Sequence, residues 1–300
     1  MLVPALILAL AIGEFRPVSA PQVFVLATFL VIRRRTVGGL SAGKRLLAEQ
    51  AWRPVSARVV RAGRWWLGCR IEVTDGDSVG VLLVTGLTRA HAAVIARTGS
   101  VWVVGDVMGV AVVRVDGSHE PWQAKAPRWT RSPRLFAAGQ DPTMMLARRI
   151  QRAMSLQWAN LAWLPIFVAL GVWAFPDRPW VVVAWVLLFA AVMIAAVAFR
   201  LHRHPMLHRL PELVEAGPWT PVQASLRPWQ ARTDDTAQAS AVIRLADGRT
   251  MTADMRSASV DLLGTVWDTG TLWFAGEPEP GKTMAAGYPG YPLLAVAVIR

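Results

Sequence analysis

The sequence has little charge and almost no cysteine. Charged residues make up 17% of its 300 residues and apolar residues 54%, whereas soluble domains usually carry about 25% charged residues. The single cysteine, Cys69, excludes an intramolecular disulfide and a cysteine-based metal cluster. Lysine is also scarce, so the net charge of +12 comes almost entirely from arginine. This composition predicts a membrane protein.

Four apolar stretches support that prediction. Residues 156–175 and 180–199 are each about 20 residues long, the length at which a helix crosses a bilayer. The short break between them predicts a transmembrane hairpin. Residues 2–13 and 18–32 are shorter and predict a second, short hairpin. A signal peptide is the alternative for the first stretch, but its start carries no Lys or Arg.

Arginine clusters next to the ends of these stretches. Few charges lie in the two hairpin turns, so the positive-inside rule places the turns outside and the long segments in the cytoplasm of a bacterium, at its plasma membrane. Anionic lipid headgroups are the expected partners of the clusters. This position also disfavours nucleic-acid binding. The predicted membrane-interface residues are Arg33, Arg34, Arg35, Arg148, Arg149, Arg152, Arg200 and Arg203.

The two halves of the chain resemble each other. Four blocks recur in the same order, which predicts a tandem duplication of a hairpin followed by a cytoplasmic module. The blocks pair 52–57 with 219–224, 71–79 with 243–251, 99–106 with 270–277, and 109–115 with 293–299.

Each module is predicted to be a small β-barrel of SH3 or OB type. Asp75-Gly76 and Asp247-Gly248 lie between strand-like runs, and Asp-Gly there is typical of a tight hairpin turn. About five short strands are expected in each module. Four tryptophans shared by the repeats are expected to supply much of the core: Trp52, Trp102, Trp219 and Trp273.

The predicted fold class is a membrane protein of α and β structure with four transmembrane helices in two hairpins. Asp141-Pro142 predicts the start of an amphipathic helix at the membrane interface, with an ordinary linker helix as the alternative. The predicted domains are hairpin 1 (1–33), β-module 1 (34–125), a linker (126–155), hairpin 2 (156–200) and β-module 2 (201–300).

A nucleotide-binding signature occurs near the C-terminus. Gly276, Gly281, Lys282 and Thr283 spell G-x-x-x-x-G-K-T, yet the intervening Glu-Pro-Glu-Pro offers two carboxylates and two residues without an N–H. The stretch is therefore interpreted as a loop between strands, and no cofactor is predicted. A metal site at His202, His204 and His208 is a weaker alternative.

The hairpin followed by a module that opens with W-x-P-V-x-A resembles uncharacterised membrane proteins of actinobacteria. In architecture it is similar to NfeD-like proteins, which tether a small barrel to membrane helices. Neither resemblance implies an activity. The predicted function is a non-enzymatic scaffold or accessory subunit whose modules bind a partner complex at the inner membrane face. The alternatives are a homo-oligomeric channel or transporter component and a nucleotide-dependent enzyme that relies on Lys282.

Overall fold

A computed structural model gives the structure of the chain. It describes residues 43–62, 68–127, 141–155, 206–232 and 235–300, together with single positions between 169 and 202. Residues 43–156 and 199–300 form one compact unit, which holds all the strands given below.

The first half of this unit is a closed six-stranded barrel, barrel 1. Its strand order is β1-β2-β3-β6-β5-β4, and the barrel closes because β1 pairs with β4. Helix α1 (Arg89–Thr98) connects β3 to β4. The strands are β1 (Arg53–Arg61), β2 (Cys69–Asp75), β3 (Ser78–Val84), β4 (Ser100–Gly105), β5 (Val110–Arg114) and β6 (Trp122–Lys125).

The second half is barrel 2, in which β9 pairs with β10 to close the ring β7-β9-β10-β13-β12-β11. The short β8 is added to β9. Helix α4 (Val260–Thr269) connects β10 to β11. The strands are β7 (Trp219–Leu226), β8 (Gln230–Ala231), β9 (Thr236–Arg244), β10 (Thr250–Ser259), β11 (Thr271–Ala275), β12 (Thr283–Tyr288) and β13 (Leu293–Ile299).

The two barrels confirm the internal repeat, with one correction. Three of the four sequence blocks fall on equivalent strands. The fourth was paired wrongly: residues 109–115 contain β5, whose neighbours in the sheet make it the equivalent of β12. Residues 293–299 form β13, the equivalent of β6. Both segments are short runs of valine and alanine, so composition alone does not distinguish neighbouring strands of one barrel.

The predicted hairpin turns are confirmed. Asp75 pairs with Ser78 across a two-residue turn, in which Gly76 has a φ of 59°. Gly248 likewise has a φ of 86° between β9 and β10. Such left-handed backbone is inexpensive for glycine alone, which is why Asp-Gly marked both turns.

Small aliphatic residues fill the two barrel cores, and the four repeat tryptophans do not. Val101 and Val103 are fully buried on β4, so Trp102 between them points outward and is only half-buried. Trp273 lies in the same way between buried Leu272 and Phe274. Successive side chains of a strand point to opposite faces. This alternation turns Trp102 and Trp273 away from the barrel cores, contrary to the expectation that the repeat tryptophans supply much of the core.

Helices α1 and α4 were missed in the sequence, where an all-β module was expected. Their ends carry ordinary signals, because Thr88 and Ser259 accept hydrogen bonds from backbone N–H groups of the first turn. Gly99 and Gly270 end the helices with φ values of 67° and 64°. These two glycines open the third repeat block, so the sequence contained the stop signals.

The linker helix α2 (Pro142–Ser155) begins where the sequence predicted. The Asp141 carboxylate accepts hydrogen bonds from the N–H groups of Thr143 and Met144, at 3.1 and 3.2 Å. Its apolar face packs against protein: Ala147 is fully buried in a cluster with Leu210, at the start of helix α3 (Leu210–Val214), and with apolar residues of barrel 2. The linker-helix alternative therefore describes α2 better than a helix lying on lipid.

A buried polar contact fastens α2 to the hairpin between β12 and β13. Thr143 is fully buried, and its hydroxyl donates to the Tyr291 carbonyl at 3.1 Å and accepts from the Gly290 N–H at 2.8 Å. The same hairpin reaches barrel 1, where the Tyr291 hydroxyl donates to Asp116 at 3.2 Å. The hairpin thus joins both barrels and the linker.

The predicted fold class is wrong in its membrane part. The described chain is mostly β, with two six-stranded barrels and short helices, whereas four transmembrane helices were predicted. None of the helices in the described residues is long and apolar enough to cross a membrane. With 14 residues, α2 reaches about 21 Å and carries three arginines, whereas a bilayer core is about 30 Å thick. Hairpin 1 and nearly all of hairpin 2 lie outside the described residues.

Candidate functional site: the α4 groove

A groove of about 910 Å³ lies where barrel 1 meets helix α4 of barrel 2. We call it the α4 groove. One wall is the loop between β5 and β6, at His119-Glu120-Pro121, and the floor is α4 from Ser259 to Asp268. The other wall is the segment that connects β7 to β9, with Trp229 and Asp235.

Asp261, in the first turn of α4, holds the barrel 1 loop in place. Its carboxylate accepts hydrogen bonds from the Ser118 hydroxyl at 2.6 Å and from the N–H of Glu120 at 3.2 Å, and a further one from the N–H of His119. Hydrogen bonds to an ionised acceptor are the stronger kind. The groove wall from barrel 1 is therefore fixed against the helix of barrel 2 before any ligand arrives.

A serine, a histidine and two aspartates lie close together here, but they do not form a Ser-His-Asp catalytic triad. Ser118 donates to Asp261, while the His119 ring lies 3.5 Å from the Asp268 carboxylate. The ring packs over Gly264. A Cβ atom added to that glycine would lie 3.6 Å from the ring, which is ordinary van der Waals contact. A serine nucleophile requires a histidine that accepts its proton. Ser118 is instead bonded to a carboxylate, so this arrangement is structural.

The groove exposes one large aromatic side chain. Trp267 on α4 is 70% exposed, whereas Trp229 on the opposite wall is partly buried and packs against the core of barrel 2. An indole that remains open to solvent beside a cavity is a frequent mark of a binding surface, because its burial by a partner is favourable.

The charge of the groove is negative, in contrast to that of the chain. Among the described residues, four carboxylates line it, from Glu120, Asp235, Asp261 and Asp268, and no Lys or Arg does. Burial, together with the charges of Asp261 and Asp235, raises the pKa of Glu120 from 4.5 to about 7. The Glu120 side chain still contacts solvent, which screens part of this repulsion. The groove is therefore suited to a cation.

Stability is expected to depend on pH through Glu120. Because its folded-state pKa lies above 4.5, the folded protein holds more protons than the unfolded chain between pH 4.5 and 7. The free energy of unfolding should fall as pH rises through this window and stay lower above it. Urea unfolding of Glu120→Gln should lose that slope, while Glu277→Gln, at an exposed loop position, should keep it. An unchanged slope in Glu120→Gln would contradict the assignment.

The predicted membrane-interface arginines are only partly described. Arg33, Arg34, Arg35, Arg200 and Arg203 lie outside the described residues. Arg148, Arg149 and Arg152 follow one another along α2; Arg148 lies 4.0 Å from Glu215, and burial lowers the pKa of Arg149. Their contact with anionic lipid headgroups stays a prediction.

The repeat tryptophans form surface clusters away from the α4 groove. The Arg114 guanidinium lies over the rings of Trp52 and Trp102, at 5.0 and 5.4 Å from their centroids. In barrel 2, Trp219 packs beside the cluster around Ala147, and Trp273 lies opposite Pro221. Trp102 likewise lies opposite Pro54 on the paired strand, so both repeats place a tryptophan opposite a proline.

The G-x-x-x-x-G-K-T stretch is a loop between β11 and β12, as interpreted from the sequence. Lys282 pairs with Glu279 of the same loop at 2.9 Å. The N–H groups of Gly276 and Gly281 donate to the carbonyls of Pro218 and Ile299. Thr283 then begins a strand, whereas a phosphate-binding loop leads into a helix.

The remaining candidates offer little chemistry. Cys69 is buried at the start of β2, and burial raises the pKa of its thiol to about 12. Such a thiol is a poor nucleophile. His204 lies outside the described residues. Within the described ranges no three His, Cys, Asp or Glu side chains are placed to hold a metal ion.

Sequence reasoning missed the residues of the α4 groove. Glu120, Asp261 and Trp267 belong to no motif, and Ser118 and Asp261 are 143 positions apart in the chain. The capping signals of α4 were the only local sign that Trp267 lies on a helix. Comparisons with protein-family models, with curated proteins and with solved structures found no match for this chain. The actinobacterial and NfeD-like resemblances stay predictions.

Proposed function

We propose that this chain is a non-catalytic binding protein, whose two joined barrels present the α4 groove to a protein partner. The observation that carries the proposal is the 70% exposed Trp267 beside a cavity of about 910 Å³. A partner that covers this indole removes a large apolar surface from water. Aromatic residues of this kind dominate the energy of many interfaces.

The rigidity of the groove supports a binding role. Asp261 and Thr265 of α4 contact the loop of barrel 1, and Tyr291 and Thr143 fasten barrel 2 to barrel 1 and to α2. A surface that is fixed in advance loses less conformational entropy when it binds. The polar groups of the groove serve to hold it together, which favours recognition over chemistry.

The test is affinity purification of the tagged full chain from its native cells. A partner present in stoichiometric amount should be retained by the wild type and lost from Trp267→Ala. The matched control is Met108→Ala, which truncates another exposed apolar side chain. Met108 precedes β5, whereas the groove loop follows it, so the two lie at opposite ends of that strand. Equal recovery of all partners by Trp267→Ala would overturn the proposal.

A further inference from the structure

The duplication supplies a reference for the α4 groove, because α1 and α4 are equivalent helices. Each has ten residues, begins after a Thr or Ser cap and ends at a left-handed glycine. Counting from the caps, Ala90 and Ala93 of α1 correspond to Asp261 and Gly264 of α4. Ala96 and Arg97 correspond in the same way to Trp267 and Asp268.

In the first repeat, another helix packs on α1. Helix α2 lies against α1, and Arg149 of α2 is close enough to His91 to help lower its pKa. Burial is the larger cause and lowers that pKa to about 3. Ala90 and Ala93 are accordingly 2% and 4% exposed. The outward surface of α1 is thus covered around Ala90 and Ala93, whereas Ala96 is half-buried and Arg97 is exposed, and the helix that packs on α1 carries arginines.

In the second repeat, no described helix packs in this way on α4, whose main neighbours are strands of its own barrel. The groove lies there instead, and Trp267 takes the place of the small Ala96. A volume of about 910 Å³ equals roughly two turns of a helix about 10 Å in diameter. The space is therefore of the right size for part of a helix.

The charges on α4 indicate which helix fits. Asp268 stands where α1 has Arg97, and Asp261 where it has alanine. Asp268, Glu120 and Asp235 line the groove beside the exposed indole of Trp267, while the Asp261 carboxylate accepts hydrogen bonds from the barrel 1 loop. Arginine satisfies both features at once, because its guanidinium pairs with carboxylates and stacks on aromatic rings.

We propose that the α4 groove binds a basic amphipathic helix of a partner protein, as the second repeat's counterpart of the contact between α2 and α1. This rests on the proposed function and adds the chemistry of the partner. The partner helix lays apolar residues against Trp267 and arginines against the carboxylates at the groove walls.

The test uses a defined probe, a fluorescent 14-residue peptide with the sequence of α2, residues 142–155, which combines an apolar face with three arginines. It is titrated with the purified full chain, and anisotropy is measured. Saturable binding is expected, with at least about tenfold weaker affinity for Trp267→Ala and for Asp268→Arg. Glu277→Arg, which changes charge in an exposed loop, and Met108→Ala serve as controls and should bind normally. Circular dichroism confirms that each variant is folded.

Four results would overturn the inference. The first is no saturable binding up to about 1 mM peptide, and the second is binding that Trp267→Ala leaves unchanged, as expected if the peptide only replaces α2. The third is equal binding of a peptide whose arginines are changed to glutamate. A wild-type dimer in sedimentation that Trp267→Ala dissociates would make a second copy the occupant, and would also overturn it.

The two proposals fail separately. If the peptide does not bind but a partner is lost from Trp267→Ala in the purification, the groove binds a protein of different chemistry. If the peptide binds but purification finds no partner that depends on Trp267, the groove recognises basic helices and the proposed cellular role is wrong.

Discussion

Replacement of Phe274 by alanine is expected to lower the free energy of unfolding by about 3–5 kcal/mol. The Phe274 side chain is fully buried on β11, in the core of barrel 2. Truncation removes the ring and leaves a cavity that the surrounding strands, closed into a barrel, cannot fill by moving together. Urea unfolding followed by circular dichroism measures the loss.

The neighbouring position provides a matched control. Trp273 is the larger residue, but it is half-buried on the outer face of the same strand. Trp273→Ala should therefore cost about 1–2 kcal/mol, because less apolar surface returns to water. Equal losses, or a larger loss at Trp273, would mean that the tryptophan faces the core and that the inward residues of β11 are assigned wrongly.

Replacement of Gly287 by alanine is expected to destabilise barrel 2 by about 3 kcal/mol. Gly287 lies on β12, opposite Leu294 of β13. A Cβ atom there would lie 2.0 Å from the Leu293 carbonyl oxygen and 3.0 Å from a methyl carbon of Leu294. A carbonyl of a paired strand cannot rotate away as a side chain does, so the hairpin between β12 and β13 must shift.

Gly248→Ala separates this steric effect from backbone strain. Gly248 has a φ of 86° with open space around its Cβ position, whereas Gly287 does not have a positive φ. Gly248→Ala should cost about 1 kcal/mol, the price of a left-handed alanine. If it destabilises as much as Gly287→Ala, the close approach of Leu293 does not explain the loss. Since the hairpin carries Tyr291 and Gly290, Gly287→Ala should also loosen the contact with barrel 1 and α2.

Local chemistry explains what could be predicted. Residues within a few positions of one another determine three of these features. They are the Asp-Gly turns, the start of α2 at Asp141-Pro142 and the loop that spells G-x-x-x-x-G-K-T. Proline lacks an N–H, glycine accepts positive φ, and an aspartate caps the next turn whatever surrounds them. The duplication is visible because two copies of one fold need similar patterns of turns and strands.

Long-range packing decided the rest. The register of β11 with β7 decides whether Trp273 or Phe274 points into the core. A short apolar run in the sequence does not determine that register. The same ambiguity led residues 109–115 to be matched with β13 in place of β12. Hydropathy alone predicted four membrane helices, and those stretches lie almost wholly outside the described residues. Within the two barrels, the apolar runs are strands whose inward side chains fill the cores.

By itself, the sequence determined that the chain is a tandem duplication with two small β-modules, and that a helix starts at Pro142 in the segment between them. Only the tertiary structure decided that the modules are six-stranded barrels with a helix before β4 and β11, and that Ser118 reaches Asp261 across 143 positions to form the α4 groove. Turns and caps are set by neighbouring residues, whereas a groove between two domains exists only once distant surfaces have met.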